Sequence, residues 1–137
     1  GFNVHRPALR RPVDPSSLIE LAHWMKKHAI TAVHTHEFTS SVYGGLAAKL
    51  QNIPFIMTMH GGTAYARAFR RRLALAYAAR ASHSAVGVSV DTAAHLERAV
   101  WLPRGAVKVV PNGVPLQSGN REIARAELGL APDEQLV

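Results

Sequence analysis

The most evident metal-binding signal in the sequence is a pair of histidines, His34 and His36, separated by one residue and followed by Glu37. Residues two apart on a strand point to the same side, so both imidazoles could reach one cation. A metal hydrolase needs further His and Asp ligands from later strand ends, and no Asp stands beside the next candidate, His60. We therefore expect no specific metal site here. A metal-dependent phosphoesterase that uses this pair remains a third choice of function.

His60 is a second candidate for chemistry, because it stands between a short apolar run and two glycines. Residues 55–59, FIMTM, are nearly all apolar, which is typical of a strand buried in a parallel sheet. Gly61 and Gly62 allow a sharp turn, and the amides that begin the following helix would then favour an anionic group. His60 would lie at the carboxyl end of a strand, where open α/β sheets bind ligands. The alternative is an ordinary strand-to-helix turn with an exposed histidine.

Strands and helices alternate along the chain and must position these residues. Such alternation indicates parallel βαβ units, so we expect an α/β fold, a Rossmann-like parallel sheet flanked by helices on both faces. The four strands are expected to be neighbours in this sheet. The patterns of apolar residues place them at residues 31–35, 55–59, 85–89 and 107–110.

Polar residues at the helix starts predict where the helices begin. Asp14 is the expected N-cap of the first helix, Thr39 or Ser40 of the second, and Asp91 of the fourth. The third helix is expected to span residues 63–80. Its predicted buried stripe consists of Ala66, Phe69, Leu73, Ala76 and Tyr77.

The chain is basic, with sixteen Lys and Arg against nine Asp and Glu, a net charge of +7. This excess favours anionic partners such as phosphorylated ligands, acidic lipid surfaces or nucleic acid. Arg67, Arg70 and Arg71 belong to the densest basic cluster and project away from the predicted stripe. The cluster is either a solvated helix face or a contact with anionic lipid or a phosphate-bearing acceptor. It lacks interleaved aromatic residues, so no nucleic acid is expected.

Composition excludes several classes of site. The 137 residues are near the size of one domain, and 47% are hydrophobic, enough for a core. Without cysteine, the chain can form neither disulfides nor thiolate metal sites. No apolar run approaches the roughly 20 residues that span a bilayer. The dinucleotide fingerprint, the P-loop and the nucleophile elbow are all missing.

Six short sequence segments, or phrases, occur in a specific order along nearly the whole chain. They are AVHTH at residues 32–36, GLAAKL at 45–50, IPFIMTMHG at 53–61, VGVS at 86–89, VVPNGV at 109–114 and RAELGL at 125–130. Together they resemble the second half of the N-terminal domain of a family 4 glycosyltransferase, of the two-domain GT-B architecture.

This resemblance implies a division of the chain. In such enzymes two Rossmann-like domains face each other across a cleft, the first binding mainly the acceptor and the second the nucleotide-sugar donor. Residues 1–113 would then be an N-terminal domain that is incomplete at its start, and residues 114–137 the linker and the start of the donor-binding domain. Asn112 and Gly113 would form the hinge at which the chain crosses between domains.

The resemblance also implies a set of site residues. His60 matches the family histidine at the floor of the cleft, near the reacting sugar and its phosphate, and is the expected catalytic residue. A histidine there can donate a hydrogen bond to developing negative charge or orient an acceptor hydroxyl. The expected acceptor- or phosphate-binding residues are Gly61, Gly62, His36, Glu37 and Ser89.

The function implied is transfer of a sugar from a nucleotide-sugar donor to a sugar or lipid-linked acceptor. We expect the reaction to retain the anomeric configuration and to need no metal and no cofactor beyond the donor substrate. The chain by itself would be inactive, since the donor-binding half is missing. A cytoplasmic position, at the inner face of the membrane, is expected. The alternative is a non-catalytic domain that binds anionic surfaces through its basic helix.

Overall fold

The computed structural model describes residue 4 and residues 14–62, 64–113, 119–131 and 134, with the side chains of Ala64 and Ala66 left out. The predicted alternation of helices and strands is confirmed. In chain order the elements are α1 (Pro15–Lys27), β1 (Val33–His36), α2 (Glu37–Leu50), β2 (Phe55–Met59), a 3₁₀ turn (Ala64–Arg67), α3 (Phe69–Ala81), β3 (Ser84–Gly87), α4 (Val90–Ala99), β4 (Lys108–Val109) and α5 (Arg121–Glu127).

The four strands form one parallel sheet in the order β1-β2-β3-β4, as the sequence predicts. Thr35 pairs with Met57, and Met57 pairs with Ala85, so these side chains point to the same face. β1 lies at one edge and includes His36. It begins two residues later and ends one residue later than the apolar pattern predicts.

The helices cover one face of this sheet. Met57, Met59 and Ala85 form a core with residues of α3 and α4, and Phe55 forms a second core with residues of α1 and α2. Successive parallel strands joined by right-handed crossovers in one direction place their helices on one side. The expectation of helices on both faces is therefore not met within the described residues, where His34 and Ile56 point to the opposite face.

Three helices begin where a polar side chain accepts hydrogen bonds from their first amides, and the sequence predicts a cap for two of them, α1 and α4. Asp14 caps α1 as predicted, accepting hydrogen bonds from the amides of Ser16 and Ser17. The prediction for α4 is wrong by two residues, because the Ser89 hydroxyl, rather than Asp91, accepts from the amide of Thr92.

α2 begins earlier than predicted. His36 is its N-cap and Glu37 its first residue, so Thr39 and Ser40 lie inside the first turn rather than at the cap. The chain passes from strand to helix without a loop, because Glu37 adopts a left-handed conformation with φ of 65°. α2 then packs closely on the sheet at Gly45, where a Cβ atom would lie 2.7 Å from the Phe55 ring.

The third helix departs most from the prediction. A 3₁₀ turn replaces its first part, Ala68 is extended, and α3 begins only at Phe69. The buried side chains of α3 are Leu75, Ala76, Ala78 and Ala79. Of the four stripe members whose side chains the structure describes, only Ala76 is buried, while Phe69, Leu73 and Tyr77 are 64%, 49% and 55% exposed. Leu75, Ala76 and Ala79 belong to the core that includes Met57 and Met59, and the small alanine side chains allow closer packing there than larger ones would.

α5 follows the sheet and has no buried residue. The predicted linker begins at residue 114, and residues 114–118 lie outside the described part of the chain. The division into two domains stays a prediction. No helix in the described ranges is both long and apolar enough to cross a membrane.

Candidate functional site

Adjacent strand ends bring together the two histidines that the sequence singles out. His36 ends β1, and His60 follows the last residue of β2. The His36 Nδ1 and His60 Nε2 atoms are 2.9 Å apart, and the two rings are stacked with centroids 5.2 Å apart. We call this site the histidine edge, defined by His36, Glu37, His60, Gly61 and Gly62.

Glu37 ties the two strand ends together. Its Oε1 atom accepts a hydrogen bond of 2.7 Å from the backbone amide of His60. Its left-handed φ of 65° costs about 1–2 kcal/mol for a residue with a side chain. Strain of this kind is concentrated at functional sites, where the surrounding structure holds it in place. The carboxylate therefore fixes the backbone that carries His60.

Gly61 and Gly62 form the turn after His60. Gly61 has φ of 116°, a conformation that residues with a Cβ atom rarely adopt. A Cβ atom at Gly62 would lie 3.2 Å from Glu37 Oε2, so the glycine leaves room for the carboxylate. The predicted anion site at the start of a long helix is wrong in one respect. Only a four-residue 3₁₀ turn follows, and α3 begins at Phe69, so the dipole of α3 does not start beside His60.

The hydrogen bond between the histidines restricts their protonation. One ring nitrogen must donate and the other accept, so His36 and His60 cannot both carry two ring protons while this bond exists. Burial lowers the pKa of His36, and the neighbouring charges of His34 and His60 lower it further, against an opposing effect of Glu37. A neutral His36 is thus favoured beside His60.

His34 and His36 point to the same side of β1, as predicted, with ring centroids 4.3 Å apart. Each uses a ring nitrogen on a protein partner, since His34 Nε2 lies 2.8 Å from the Thr58 hydroxyl and His36 Nδ1 bonds His60. Among the described residues, no group of three or more His, Asp or Glu side chains is arranged to hold a metal ion.

Tyr65 is a neighbour of the histidine edge that the sequence analysis missed. It is 4% exposed and stacks on Phe38, with ring centroids 6.3 Å apart. Burial raises its pKa, and so does the charge of Glu37. The available signal was its position three residues after Gly62, on the 3₁₀ turn. Tyr65 therefore lies close enough to Glu37 for the carboxylate charge to affect its pKa.

The remaining predicted residues lie apart from this cluster. The Ser89 hydroxyl caps α4 and lies 3.0 Å from the Thr92 hydroxyl, so the structure shows it in a capping role. Asn112 and Gly113 are exposed after β4. Arg67, Arg70 and Arg71 are exposed on the 3₁₀ turn and the first turn of α3. Binding by Ser89 and a hinge after β4 stay predictions.

A cavity of about 610 Å³ opens on the outer side of β1. Its lining includes His36 and Glu37 together with Phe38, Ser40 and Tyr43. His60 stands on the other side of His36, outside this lining. Because β1 is an edge strand in the described sheet, the cavity lies alongside an open sheet edge.

Comparison with known proteins identifies the family. The sequence profile of Glycosyltransferase Family 4 matches residues 2–118, most of the chain. The chain belongs to glycosyltransferase family 4. This confirms the resemblance drawn from the six phrases.

A curated relative of this family 4 chain is the UDP-Gal:alpha-D-GlcNAc-diphosphoundecaprenol alpha-1,3-galactosyltransferase of Escherichia coli. It is 26% identical over 121 residues, a match that covers 84% of the family 4 chain but only 31% of the relative. The chain thus spans about a third of the length of this relative.

Proposed function

We propose that this chain is the acceptor-side part of a glycosyltransferase that transfers a sugar from a nucleotide sugar to a lipid-linked diphosphate acceptor. Membership of family 4 supports the reaction class. The Escherichia coli relative is named for such a donor and such an acceptor, which supports the substrate classes. In this proposal residues 1–113 form the acceptor-side domain, and the chain crosses toward the donor-binding half at Asn112 and Gly113.

The observation that carries the proposal is the coupling of His60 to His36 and Glu37 at the carboxyl edge of the sheet. Within the described part of the chain, His60 bonds Glu37 through its amide and His36 through Nε2, so its Nδ1 atom remains available for a substrate. Open α/β sheets bind ligands at this edge. A fixed, exposed imidazole there is suited to contact the reacting groups.

The tautomer of the histidine pair determines what His60 offers. When His60 Nε2 donates to His36, Nδ1 of His60 can accept a proton or orient an acceptor hydroxyl. When His36 donates instead, Nδ1 of His60 carries a proton and can donate to a phosphate oxygen or to developing negative charge. Both roles suit transfer from a sugar phosphate, and the lowered pKa of His36 keeps one neutral partner in the pair.

We further propose that the reaction retains the anomeric configuration and needs no metal. His34 and His36 each use a ring nitrogen in a hydrogen bond, to Thr58 and His60 respectively. These bonds support a role of the pair in holding the site rather than in binding a cation. Gly61 and Gly62 would bring backbone amides close to the acceptor or its phosphate.

The test is an assay of the full-length parent with a panel of nucleotide sugars, including UDP-galactose, and a short-chain GlcNAc-diphospholipid as acceptor. We expect transfer from one donor, persistence of activity in excess chelator, and a product with the anomeric configuration of the donor sugar. Failure with every donor, with or without added divalent metal, would overturn the proposed reaction. Metal-dependent release of phosphate from simple esters would favour the phosphoesterase instead.

A further inference from the structure

An apolar stripe is exposed on α3, on the side opposite to its buried alanine face. Phe69, Leu73 and Tyr77 recur every four residues and so lie on one side of the helix. All three are about half exposed or more. Trp101, which is 45% exposed, extends the stripe, since its ring meets the Phe69 ring edge-on at 6.0 Å. A contiguous surface of this kind marks an interaction site.

Two arginines hold Trp101 in this place. The Arg72 guanidinium lies 4.2 Å from the centre of the Trp101 ring, and its Nε donates to the Ala99 carbonyl. Arg80 donates to the carbonyls of Val100 and Trp101. Trp101 itself has a left-handed φ of 56°. The exposed ring is therefore fixed before any partner arrives, which lowers the entropic cost of binding.

The charge around the stripe has one sign. Arg70 and Arg80 lie three residues from Leu73 and Tyr77, respectively, and so flank the stripe. The neighbouring Arg67 and Arg71 are exposed as well. Residues 38–90 contain no Asp or Glu but six basic residues, namely Lys49, Arg67, Arg70, Arg71, Arg72 and Arg80. Pairing of this face with a second copy would bring like charges together. Charge complementarity therefore favours an anionic partner, and the exposed apolar side chains favour one with an apolar interior.

We infer that this surface docks on an anionic lipid bilayer, with the rings of Phe69, Tyr77 and Trp101 inserted at the interface and the arginines on the headgroups. Aromatic residues prefer the membrane–water interface, and a helix with an apolar and a basic side lies in its plane. The inference rests on the proposed function and deepens it. α3 begins nine residues after His60, so docking would hold the histidine edge close to a lipid-linked acceptor.

The test is sedimentation of the full-length parent with vesicles of equal parts phosphatidylglycerol and phosphatidylcholine, at low and high salt. One variant combines Phe69→Ser, Leu73→Ser and Tyr77→Ser, and a second combines Arg67→Gln, Arg70→Gln and Arg71→Gln. The matched control combines Ile19→Ser and Leu50→Ser, which change side chains of similar exposure, 52% and 59%, on α1 and α2.

We expect the arginine variant to bind about a hundredfold more weakly at low salt, at ~1 kcal/mol per cation near an anionic surface. The stripe variant should lose roughly tenfold or more at both salt concentrations, because apolar insertion is not screened by salt. The control should bind as the unchanged protein does. The stripe variant should keep its activity on a short-chain acceptor that is dispersed in solution.

Four results would overturn the inference. These are absence of vesicle binding by the unchanged parent, equal binding by the stripe variant, a large drop in its melting temperature, and conversion of a dimer to a monomer. A drop in melting temperature would assign the surface to the remainder of the parent, and a monomer would assign it to a second copy. If the unchanged parent binds vesicles but transfers no sugar, the proposed function is overturned, whereas the inference about this docking surface is retained.

Discussion

Neighbouring strands of the sheet differ in the hydrogen bonds that the polar residues at their carboxyl ends make. At the histidine edge, His36, Glu37 and His60 bond one another and leave exposed rings at the strand ends. Between β3 and α4, the Ser89 hydroxyl accepts a hydrogen bond from the amide of Thr92 in the first turn of the helix. We call this second place the capped end, defined by Gly87, Ser89 and Thr92.

The difference provides a criterion for proposing which strand end has a function and which one only stabilises the fold. A polar residue that satisfies a helix amide contributes to stability, whereas one held by other side chains, with a free ring atom, is available for chemistry. Position at the carboxyl edge is shared by both ends and does not distinguish them. Four groups of measurements test this contrast, from the largest expected effect to the smallest.

The largest effect is expected for His60→Ala in the full-length parent. Turnover should fall roughly ten- to a thousandfold, the range for losing one positioned proton-transfer or electrostatic group. The melting temperature should change little, because the ring is exposed. Kinetics with the short-chain acceptor, beside thermal unfolding, provide the measurement.

His23→Ala is the matched control for His60, since His23 is an exposed histidine on α1. It should leave both turnover and melting temperature unchanged. Full turnover in His60→Ala would show that His60 is merely the end of a strand, and unfolding would show that it is a core residue.

The next effect is on stability, at the capped end. A Cβ atom at Gly87 would lie 2.7 Å from the amide nitrogen of Ala93, which is backbone and cannot move aside. Gly87→Ala should lower the free energy of unfolding by about 1–3 kcal/mol or more. Urea unfolding of the parent measures this difference.

Gly62→Ala is the counterpart at the histidine edge. Its Cβ would meet Glu37 Oε2 at 3.2 Å, and a carboxylate can shift by a few tenths of an ångström. Its free energy of unfolding should stay within about 0.5 kcal/mol of the original. A larger loss at Gly62 than at Gly87 would reverse the contrast between the two ends.

Ser89→Ala is expected to cost about 1 kcal/mol of stability, the usual loss for a helix N-cap. Turnover should remain unchanged, because the hydroxyl bonds Thr92 rather than the histidine edge. Ser89→Asn should restore stability, since Asn is an equally good cap. A loss of activity in Ser89→Ala at unchanged stability would move Ser89 into the binding site.

The smallest effect concerns the pH dependence of stability. The pKa of His36 is lowered in the folded protein, so the unfolded chain binds the proton more readily. The contribution of His36 is therefore fully present above the unfolded pKa of about 6.5 and is lost as the pH falls toward the folded pKa. Unfolding by urea at neutral and mildly acidic pH measures the slope.

Replacing His36 by Gln should remove its share of that slope, and the other histidines provide the background in both proteins. An identical slope in the variant would mean that the ring is as free to take up a proton in the folded protein as in the unfolded chain. Burial and the neighbouring histidines would then have no net effect on the pKa of His36.

The sequence alone determined the order of strands and helices and the residues proposed for the histidine edge. Alternation of apolar runs with helical patterns predicted the four parallel strands, because buried strands leave an apolar signal of their own. The cap at Asp14 and the turn at the glycines after His60 could also be predicted, because caps and turns depend on a few residues that are adjacent in sequence. The family phrases led to the family, as the profile match over residues 2–118 confirms.

Only the tertiary structure decided which side chains meet and which face of α3 is buried. Glu37 reaches the amide of His60 because two strand ends lie side by side, a contact between residues 23 apart in sequence. α3 has apolar residues on two sides, and periodicity cannot rank them. The choice depends on the space in the core, where Ala76 and Ala79 pack with Met57 and the larger Phe69 and Tyr77 remain outside.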